Sequence, residues 1–143
     1  MSTGFNMPSS IATVVASSIR QLHQSVPAVA GCVVATVDGR LLDHVANSDA
    51  DPKRIAAMIG SMVALGKTLG TEVRIGDCSY VAVHASSGIM LLQQVPSRRQ
   101  LLVVATLATA STNLGVVLHA TRQAAAEIGA ALDAWLARGQ AAA

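Results

Sequence analysis

The chain has 143 residues and a mass of 14.6 kDa, a length that suits one domain able to bury roughly two thirds of the surface of its unfolded form. Apolar residues make up 52% of it, aromatic residues 2% and charged residues 13%, with a net charge of +2. So few charges and aromatic rings argue against a nucleic-acid-binding surface and favour apolar surface that a partner or a second copy covers.

The start of the chain and its two cysteines predict a cytoplasmic protein. The first ten residues contain no basic segment leading into an apolar run, and no stretch reaches the roughly 18 apolar residues that a membrane span requires. Cys32 and Cys78 lie far apart and form no CxxC pair. We therefore predict two buried thiols and neither a disulfide framework nor a zinc site.

The first predicted elements are a helix and a β-hairpin. Apolar residues recur at helical spacing from about 8 to 26, and Asn6 is placed to cap this helix. The β-branched run at 29–37 is followed by Asp38, Gly39 and a second apolar run, which is typical of a hairpin with a two-residue turn. The first two strands are therefore predicted to be antiparallel neighbours.

The second predicted helix is the most informative segment. Asp51 can cap it, and it runs from Pro52 until Gly70 ends it. Its apolar arc is wider than one sheet face requires, and its small residues would let a second helix approach closely, so we predict a helix-to-helix dimer contact. The alternative is that one domain buries this helix completely. The candidate residues of the dimer or partner interface are Arg54, Met58, Met62 and Leu65.

Three more runs have the composition of strands, at about 78–86, 89–95 and 101–109. A turn at Ser87 and Gly88 joins the first two, and a short polar segment joins the last two. These connections are too short for a parallel crossover, so the three strands are predicted to form an antiparallel meander. The whole sheet is then antiparallel and five-stranded.

The last predicted helix begins near Ser111 or Thr112, and its apolar residues alternate at spacings of four and three. This stripe suits either a helix lying on a sheet or a coiled-coil seam in a dimer. Residues 1–138 are predicted to form a single domain, and residues 139–143 a flexible alanine-rich tail. The predicted fold class is a layered α/β (α+β) domain in the order helix, hairpin, helix, three-stranded meander, helix.

In combination, these features resemble the roadblock / dynein light chain family, a relative of the longin and profilin-like folds. The resemblance runs from about Ile11 to Ile128. It rests on "VPAVAGCVVATVDGRLL" at 26–42, the apolar second helix, the second turn, and "TNLG" at 112–115 opening the last helix. The turn and cap residues predicted for this fold are Gly31, Asp38, Gly39, Asp51, Gly88, Asn113 and Gly115.

The resemblance implies a homodimer whose two sheets join edge to edge and whose second helices pack together as a platform for a small Ras-like GTPase. Bacterial members of the family are often regulators of such GTPases, so the implied function is to modulate the nucleotide cycle or the localisation of one. The turn before the last strand is basic here, with Arg98 and Arg99, where the family more often has glycine and acidic residues. The alternative function is a sensory domain that binds a small molecule between its sheet and its helices.

Residues capable of chemistry are scattered. Cys32 lies in an apolar strand, where a thiol is poorly reactive. The Gly-Lys-Thr at 66–68 lies near the end of a helix, whereas a phosphate-binding loop must precede one. No metal-ligand spacing joins the histidines, which are His23, His44, His84 and His119. We therefore predict a non-enzymatic protein with no catalytic, cofactor-binding or metal-binding residues.

Overall fold

The computed structural model describes residues 6–46 and 49–142, and this part of the chain contains three helices and five strands. In chain order they are α1 (Ser9–Ser25), β1 (Val29–Thr36), β2 (Leu41–Ala46), α2 (Pro52–Glu72), β3 (Val81–Ala85), β4 (Gly88–Gln94), β5 (Leu102–Thr109) and α3 (Leu114–Ala142). The predicted fold class and order of elements are confirmed.

All five strands form one antiparallel sheet in the order β2-β1-β5-β4-β3. The β1–β2 and β3–β4 hairpins flank β5, which lies in the middle and pairs with β1 on one side and β4 on the other. The two edges of the sheet are therefore β2 and β3.

The turn of the first hairpin is longer than predicted. The Thr36 amide donates a hydrogen bond to the Arg40 carbonyl at 2.8 Å, which leaves three residues between them. A two-residue type I′ turn needs a positive φ at both central residues, but Gly39 (φ 94°) has one and Asp38 does not. Asp38 instead accepts a hydrogen bond from the Thr36 hydroxyl. The hairpin is confirmed, and its predicted two-residue turn is wrong.

The starts of α1 and α3 differ from those predicted. Pro8 is the N-cap of α1 and no side chain caps the helix, so the predicted cap by Asn6 is wrong. α3 begins two to three residues later than predicted. The Asn113 side chain precedes it and accepts a hydrogen bond from the Gly115 amide at 2.7 Å, which satisfies one of the free amides of the first turn.

α2 is longer than predicted. Asp51 caps it by accepting a hydrogen bond from the Lys53 amide at 3.0 Å. The helix continues past Gly70 and ends at Glu72. Gly70 lies against the Gly76 carbonyl so closely that a Cβ atom would have no room. The glycine at this position therefore permits a close approach of two backbone segments and does not end the helix.

The second hairpin is displaced by one residue. Ser86 and Ser87 form its turn, and Gly88 is the first residue of β4, where it pairs with Ala85. A Cβ atom on Gly88 would lie 3.0 Å from the Ala108 carbonyl oxygen of the neighbouring strand. Gly88 therefore allows β5 to approach closely, and the turn predicted at Ser87 and Gly88 is wrong by one position.

One face of the sheet is covered by α1 and α3, whose buried side chains form the largest core cluster with the strands. The predicted stripe of α3 faces α1 and the sheet, with Thr121, Ala125, Ile128 and Leu132 fully buried. Within this chain α3 therefore packs against α1 and the sheet and does not use this stripe as a coiled-coil seam. Its helical backbone continues to Ala142, through residues 139–142 of the segment predicted to be a flexible tail.

The opposite face is covered by α2 alone. A smaller core cluster there joins Ile59 and Val63 of α2 to buried residues of β1, β4 and β5. The backbone of α2 presses on the first hairpin at Gly60, where a Cβ atom would lie 2.8 Å from the Gly39 amide nitrogen. The helix is thus anchored near its middle, on the side of the sheet formed by β1 and β2.

Candidate partner interface

α2 and Val73, which directly follows it, carry a row of exposed apolar side chains that no other element of the described chain covers. Their exposed fractions are 56% for Met58, 68% for Leu65, 60% for Leu69 and 52% for Val73. At 100° per residue the first three lie within about 40° of one another around the helix axis, so they form a single stripe. A contiguous exposed apolar stripe on a chain this small is a feature of surfaces that bind another molecule.

The stripe lies on the side of α2 that faces β3. Gly66 defines this side, because a Cβ atom there would lie 3.1 Å from the Cys78 sulfur and 3.1 Å from a methyl group of Val81 at the start of β3. Met62 and Leu69 are one turn before and nearly one turn after Gly66, on the same side of the helix. The exposed stripe therefore runs along the β3 side of the sheet.

β3 itself is an exposed edge strand. Within the described chain its hydrogen-bonded neighbour is β4, so its other side is open for pairing. Residues 82–85 are exposed, and Val83 retains 39% exposure. Edge strands are commonly protected from pairing by lysine, proline or a bulge, but the sequence "VAVHA" has neither residue and its register with β4 is regular.

The helix stripe and the strand edge form one continuous surface, because Met58 and Val83 contribute to the wall of the same cavity. Ile75, in the segment between α2 and β3, is also exposed, at 79%. We call this the α2–β3 surface: Met58, Leu65, Leu69, Val73, Ile75 and residues 82–85. It combines apolar side chains with free backbone hydrogen-bonding groups.

The predicted interface residues are distributed between the α2–β3 surface and the core. Arg54, Met58 and Leu65 are exposed on α2, whereas Met62 is half-buried and packs against the cluster beneath the helix. Leu69, which was not among the predicted residues, is also exposed. Its spacing of four from Leu65 is the signal that places it on the same stripe.

The sequence could not predict that β3 is part of the surface, because its residues have the pattern of any apolar strand. Only the sheet order shows that this strand is at an edge. Among the predicted turn residues, Gly31 is buried in β1, where the register with β5 shifts between Val29 and Gly31. It therefore lies within the sheet and outside the α2–β3 surface.

The two thiols are in different surroundings. Burial raises the pKa of Cys32 to about 12, although a hydrogen bond with Thr106 partly opposes this. The predicted burial of Cys32 is confirmed. Cys78 is half-buried beside Gly66, and its thiol donates to the Tyr80 carbonyl at 3.4 Å, so its predicted burial is only partial. At neutral pH Cys32 is therefore a protonated, unreactive thiol.

The basic turn of Arg98 and Arg99 is fixed to α3. The Asp133 carboxylate accepts hydrogen bonds from the Arg98 amide at 3.0 Å and from the Ser97 hydroxyl at 2.7 Å. These bonds hold the pKa of Asp133 below its ordinary value. The backbone of the turn is therefore held in place, while both arginines remain exposed.

The described residues offer little for catalysis or metal binding. In residues 6–46 and 49–142, no three His, Cys, Asp or Glu side chains are grouped so that they could hold a metal ion. Over the same ranges, no helix has the length and apolar character needed to cross a bilayer. The notable chemistry of the α2–β3 surface is therefore apolar contact and backbone hydrogen bonding.

Comparison with known proteins identifies one matching family and several solved structures with a similar fold. The family model of the Roadblock/LC7 domain matches residues 16–106. None of the curated protein sequences compared with the chain matches it.

The solved structures that are similar to this one include the following three. A Roadblock/LC7 domain from Streptomyces avermitilis has a TM-score of 0.68 at 20% identity, over 76% of this chain and 89% of its own. MglB from Myxococcus xanthus has a TM-score of 0.79 at 14% identity, over 91% and 96%. The gliding protein MglB from Thermus thermophilus has a TM-score of 0.75 at 9% identity, over 92% and 96%. At these identities the likeness establishes the fold.

Proposed function

This chain belongs to the Roadblock/LC7 domain family, and from that premise we propose that it is a non-enzymatic, homodimeric platform that binds a small Ras-like GTPase and modulates its nucleotide cycle or localisation. The resemblance predicted from the sequence is confirmed by the family match. The observation that carries the proposal is the α2–β3 surface. A cytoplasmic location stays a prediction.

Two features of the α2–β3 surface favour self-association, its exposed apolar side chains and the free backbone hydrogen-bonding groups along the edge of β3. Covering apolar side chains is worth about 25 cal/mol for each Å² removed from water. The open edge of β3 can pair with the β3 edge of a second copy, which would join the two sheets into one. A two-fold dimer of this kind uses the same patch on both copies, so one surface is sufficient.

The geometry of such a dimer would place the two α2 helices side by side. The stripe on each helix lies toward β3, so pairing the β3 edges brings the stripes of the two copies together. Leu65 and Leu69 would then be covered by the partner's helix. The outer sides of the paired helices would remain exposed as the platform.

The proposed action on a GTPase is a shift in equilibrium, with no covalent step by this chain. A platform that binds one nucleotide state more tightly stabilises that state by the difference in binding free energy. A tenfold preference corresponds to about 1.4 kcal/mol. Family resemblance supports the GTPase as the partner, and the scattered reactive residues support a regulatory role.

The experiment compares the wild-type chain with a double variant in which Leu65→Asp and Leu69→Asp introduce charges into the stripe. Buried, unpaired carboxylates cost several kcal/mol, so the double variant should be monomeric. The matched control is Val116→Asp, which places a carboxylate on the similarly exposed apolar side chain at the start of α3. This control should remain dimeric.

Partner binding is then measured with Ras-like GTPases of the same organism, loaded with GDP or with a non-hydrolysable GTP analogue. We expect one nucleotide state to bind the wild type and the Val116→Asp control at least tenfold more tightly than the other. The double variant should lose most of this binding, since the platform needs two chains. A wild-type dimer that ignores every GTPase in both states would refute the GTPase role and leave the dimer intact.

A further inference from the structure

The two edge strands of the sheet differ in their outward-facing backbone groups, and β3 presents free ones. Residues along a strand alternate the side to which their amide and carbonyl groups point. Val95, which directly follows β4, donates its amide to β5, so Met90 directs its groups to β3, where it pairs with Val83. The residues on either side of Val83 in β3, Ala82 and His84, therefore direct their amides away from the sheet.

The outward-facing amide in the middle of β2 is that of His44. Thr36 donates its amide to the Arg40 carbonyl on the β2 side, so Val33, three residues earlier, directs its groups to β5. His44 pairs with Val33, and its own amide therefore points away from the sheet. The Asp43 carboxylate accepts a hydrogen bond from this amide at 2.8 Å. The outward donor of β2 is thus occupied by a side chain of the same strand.

The pairing of β2 with β1 adds a second obstacle to another strand. The register shifts between Val34 and Ala35, where Leu42 is an extra residue on β2. A bulge bends a strand and increases its twist, and bulges and charged side chains are common means of protecting a sheet edge. Residues 81–85 of β3 contain no acidic side chain, and their register with β4 is regular. β3 is therefore the open edge, and β2 is the protected one.

We propose that Asp43 limits assembly through the sheet to two copies, because its carboxylate occupies the outward amide of β2 and leaves β3 as the edge that pairs. The inference rests on the homodimer proposed above and explains why that assembly closes. A chain with one open edge can join one other copy by a two-fold contact. A chain with two open edges can join a copy on each side, so assembly continues without an end.

The chemistry of the Asp43 side chain suits this role. Aspartate is short enough to bond the backbone close to its own position in the chain, as it does here with the next residue. A strand approaching β2 would have to displace this bond and place its own carbonyl oxygen beside the carboxylate. Both groups are acceptors, with no proton between them. The carboxylate therefore removes the donor that an approaching strand needs and repels the acceptor that would replace it.

The test is the mass of the full chain by light scattering over a hundredfold range of concentration. Asp43→Val removes the carboxylate and favours a strand, so its mass should rise beyond that of two copies as the concentration increases. Asp43→Ala removes the same group with less added apolar surface, and it decides the question where the valine variant does not fold.

Two matched controls should keep the wild-type mass. Asp43→Asn removes the charge but retains an oxygen that can accept from the His44 amide. His44→Val adds an apolar side chain to the same strand and leaves the carboxylate in place. The first control separates the hydrogen bond from the charge, and the second separates loss of the carboxylate from gain of apolar surface.

The same substitution in the background of Leu65→Asp and Leu69→Asp tests the β2 edge by itself. The α2–β3 surface is disabled there, so adding Asp43→Val should convert single chains into pairs. A wild type with the mass of one chain would refute the proposed dimer, whereas pairs of this triple variant would still show that Asp43 closes the β2 edge.

Three results would overturn the role of Asp43. One is a wild-type mass, at every concentration, for both Asp43→Val and Asp43→Ala. Another is Asp43→Asn assembling as the valine variant does, which would assign the effect to the charge. The third is the same behaviour of His44→Val, which would assign the effect to the added apolar surface.

Discussion

The two faces of the sheet are covered in different ways. On one face α1 and α3 bury their apolar stripes against the strands and against each other, and Ser18 donates a hydrogen bond to Glu127 between them at 3.0 Å. On the other face α2 lies alone, with a cavity beneath its first half and exposed apolar side chains along one side. The first face is complete within the chain, and the second is not.

Simple dimensions explain the difference. A helix with its side chains is about 10–12 Å across, whereas five strands span about 19 Å. Two helices can cover such a face, and one cannot. The composition has a similar effect. A chain with 13% charged residues has few polar side chains to place on a partly covered face of the sheet. Binding of a second copy would complete it.

The largest expected difference between the faces is in thiol reactivity. Burial raises the pKa of Cys32 from 9.0 to about 12, so near pH 8 its thiolate fraction is about a thousandfold lower than that of an unperturbed thiol. Cys78, half-buried on the α2 side, should react with a thiol reagent within minutes, and Cys32 only as the protein unfolds. The measurement is the time course of labelling at pH 8, with a Cys78→Ser variant as the control. Fast labelling of that variant would contradict the account.

Removing the same side chain from each face should give unequal losses of stability. Ile128→Ala leaves a void in the packed face, and Ile59→Ala enlarges a cavity that is already open. Such a substitution lowers the free energy of unfolding by about 2–5 kcal/mol, and the loss grows with the volume of the cavity that the surrounding side chains leave unfilled. We expect urea denaturation to show a loss of unfolding free energy at the upper end of this range for Ile128→Ala and at the lower end for Ile59→Ala. A larger loss for Ile59→Ala would show that the α2 face is the better packed one.

The contact between α2 and the first hairpin can be tested with Gly60→Ala. The added Cβ would lie 2.8 Å from the Gly39 amide nitrogen and 2.9 Å from its Cα, both of which are backbone atoms. Relieving this overlap should cost about 1–3 kcal/mol of unfolding free energy. Gly139→Ala is the control, since nothing lies within 4 Å of a Cβ atom there. Equal stability of the two variants would mean that α2 can lift from the hairpin freely.

The smallest expected effect concerns Asp133, on the packed face. Its hydrogen bonds hold its pKa in the folded protein below the ordinary value of about 3.9, so the stability that they provide is present above that value and is lost as the pH falls through the folded-state pKa. The melting temperature of Asp133→Asn should therefore lie below that of the wild type at neutral pH and converge with it in acid. Asp77→Asn, in the exposed segment before β3, is the control. A gap that widened in acid would contradict this sign.

Helical periodicity predicted much of the fold and two residues of the α2–β3 surface. Met58 and Leu65 were identified because their positions fall outside the arc that one sheet face can cover. Leu69 was not among the predicted residues, although its spacing of four from Leu65 places it on the same stripe. Gly70 was predicted to end the helix. The close approach of the Gly76 carbonyl, which requires a glycine there, is visible only in the three-dimensional structure.

The cavity was beyond sequence reasoning for a related cause. Gly31, Ala105 and His44 belong to three different strands, and only the register of β1 with β2 and β5 brings them together in the floor. Edge status is likewise a property of sheet order, so β3 could not be identified as an interface strand from its own residues.

The central claim is that the incomplete face is completed by a second copy of the chain. The most direct test is the mass of the purified protein by light scattering at several concentrations, with the Leu65→Asp and Leu69→Asp double variant measured beside it. The account predicts twice the 14.6 kDa of the chain for the wild type and the single-chain mass for the variant. A wild type with the mass of one chain at every concentration would contradict it.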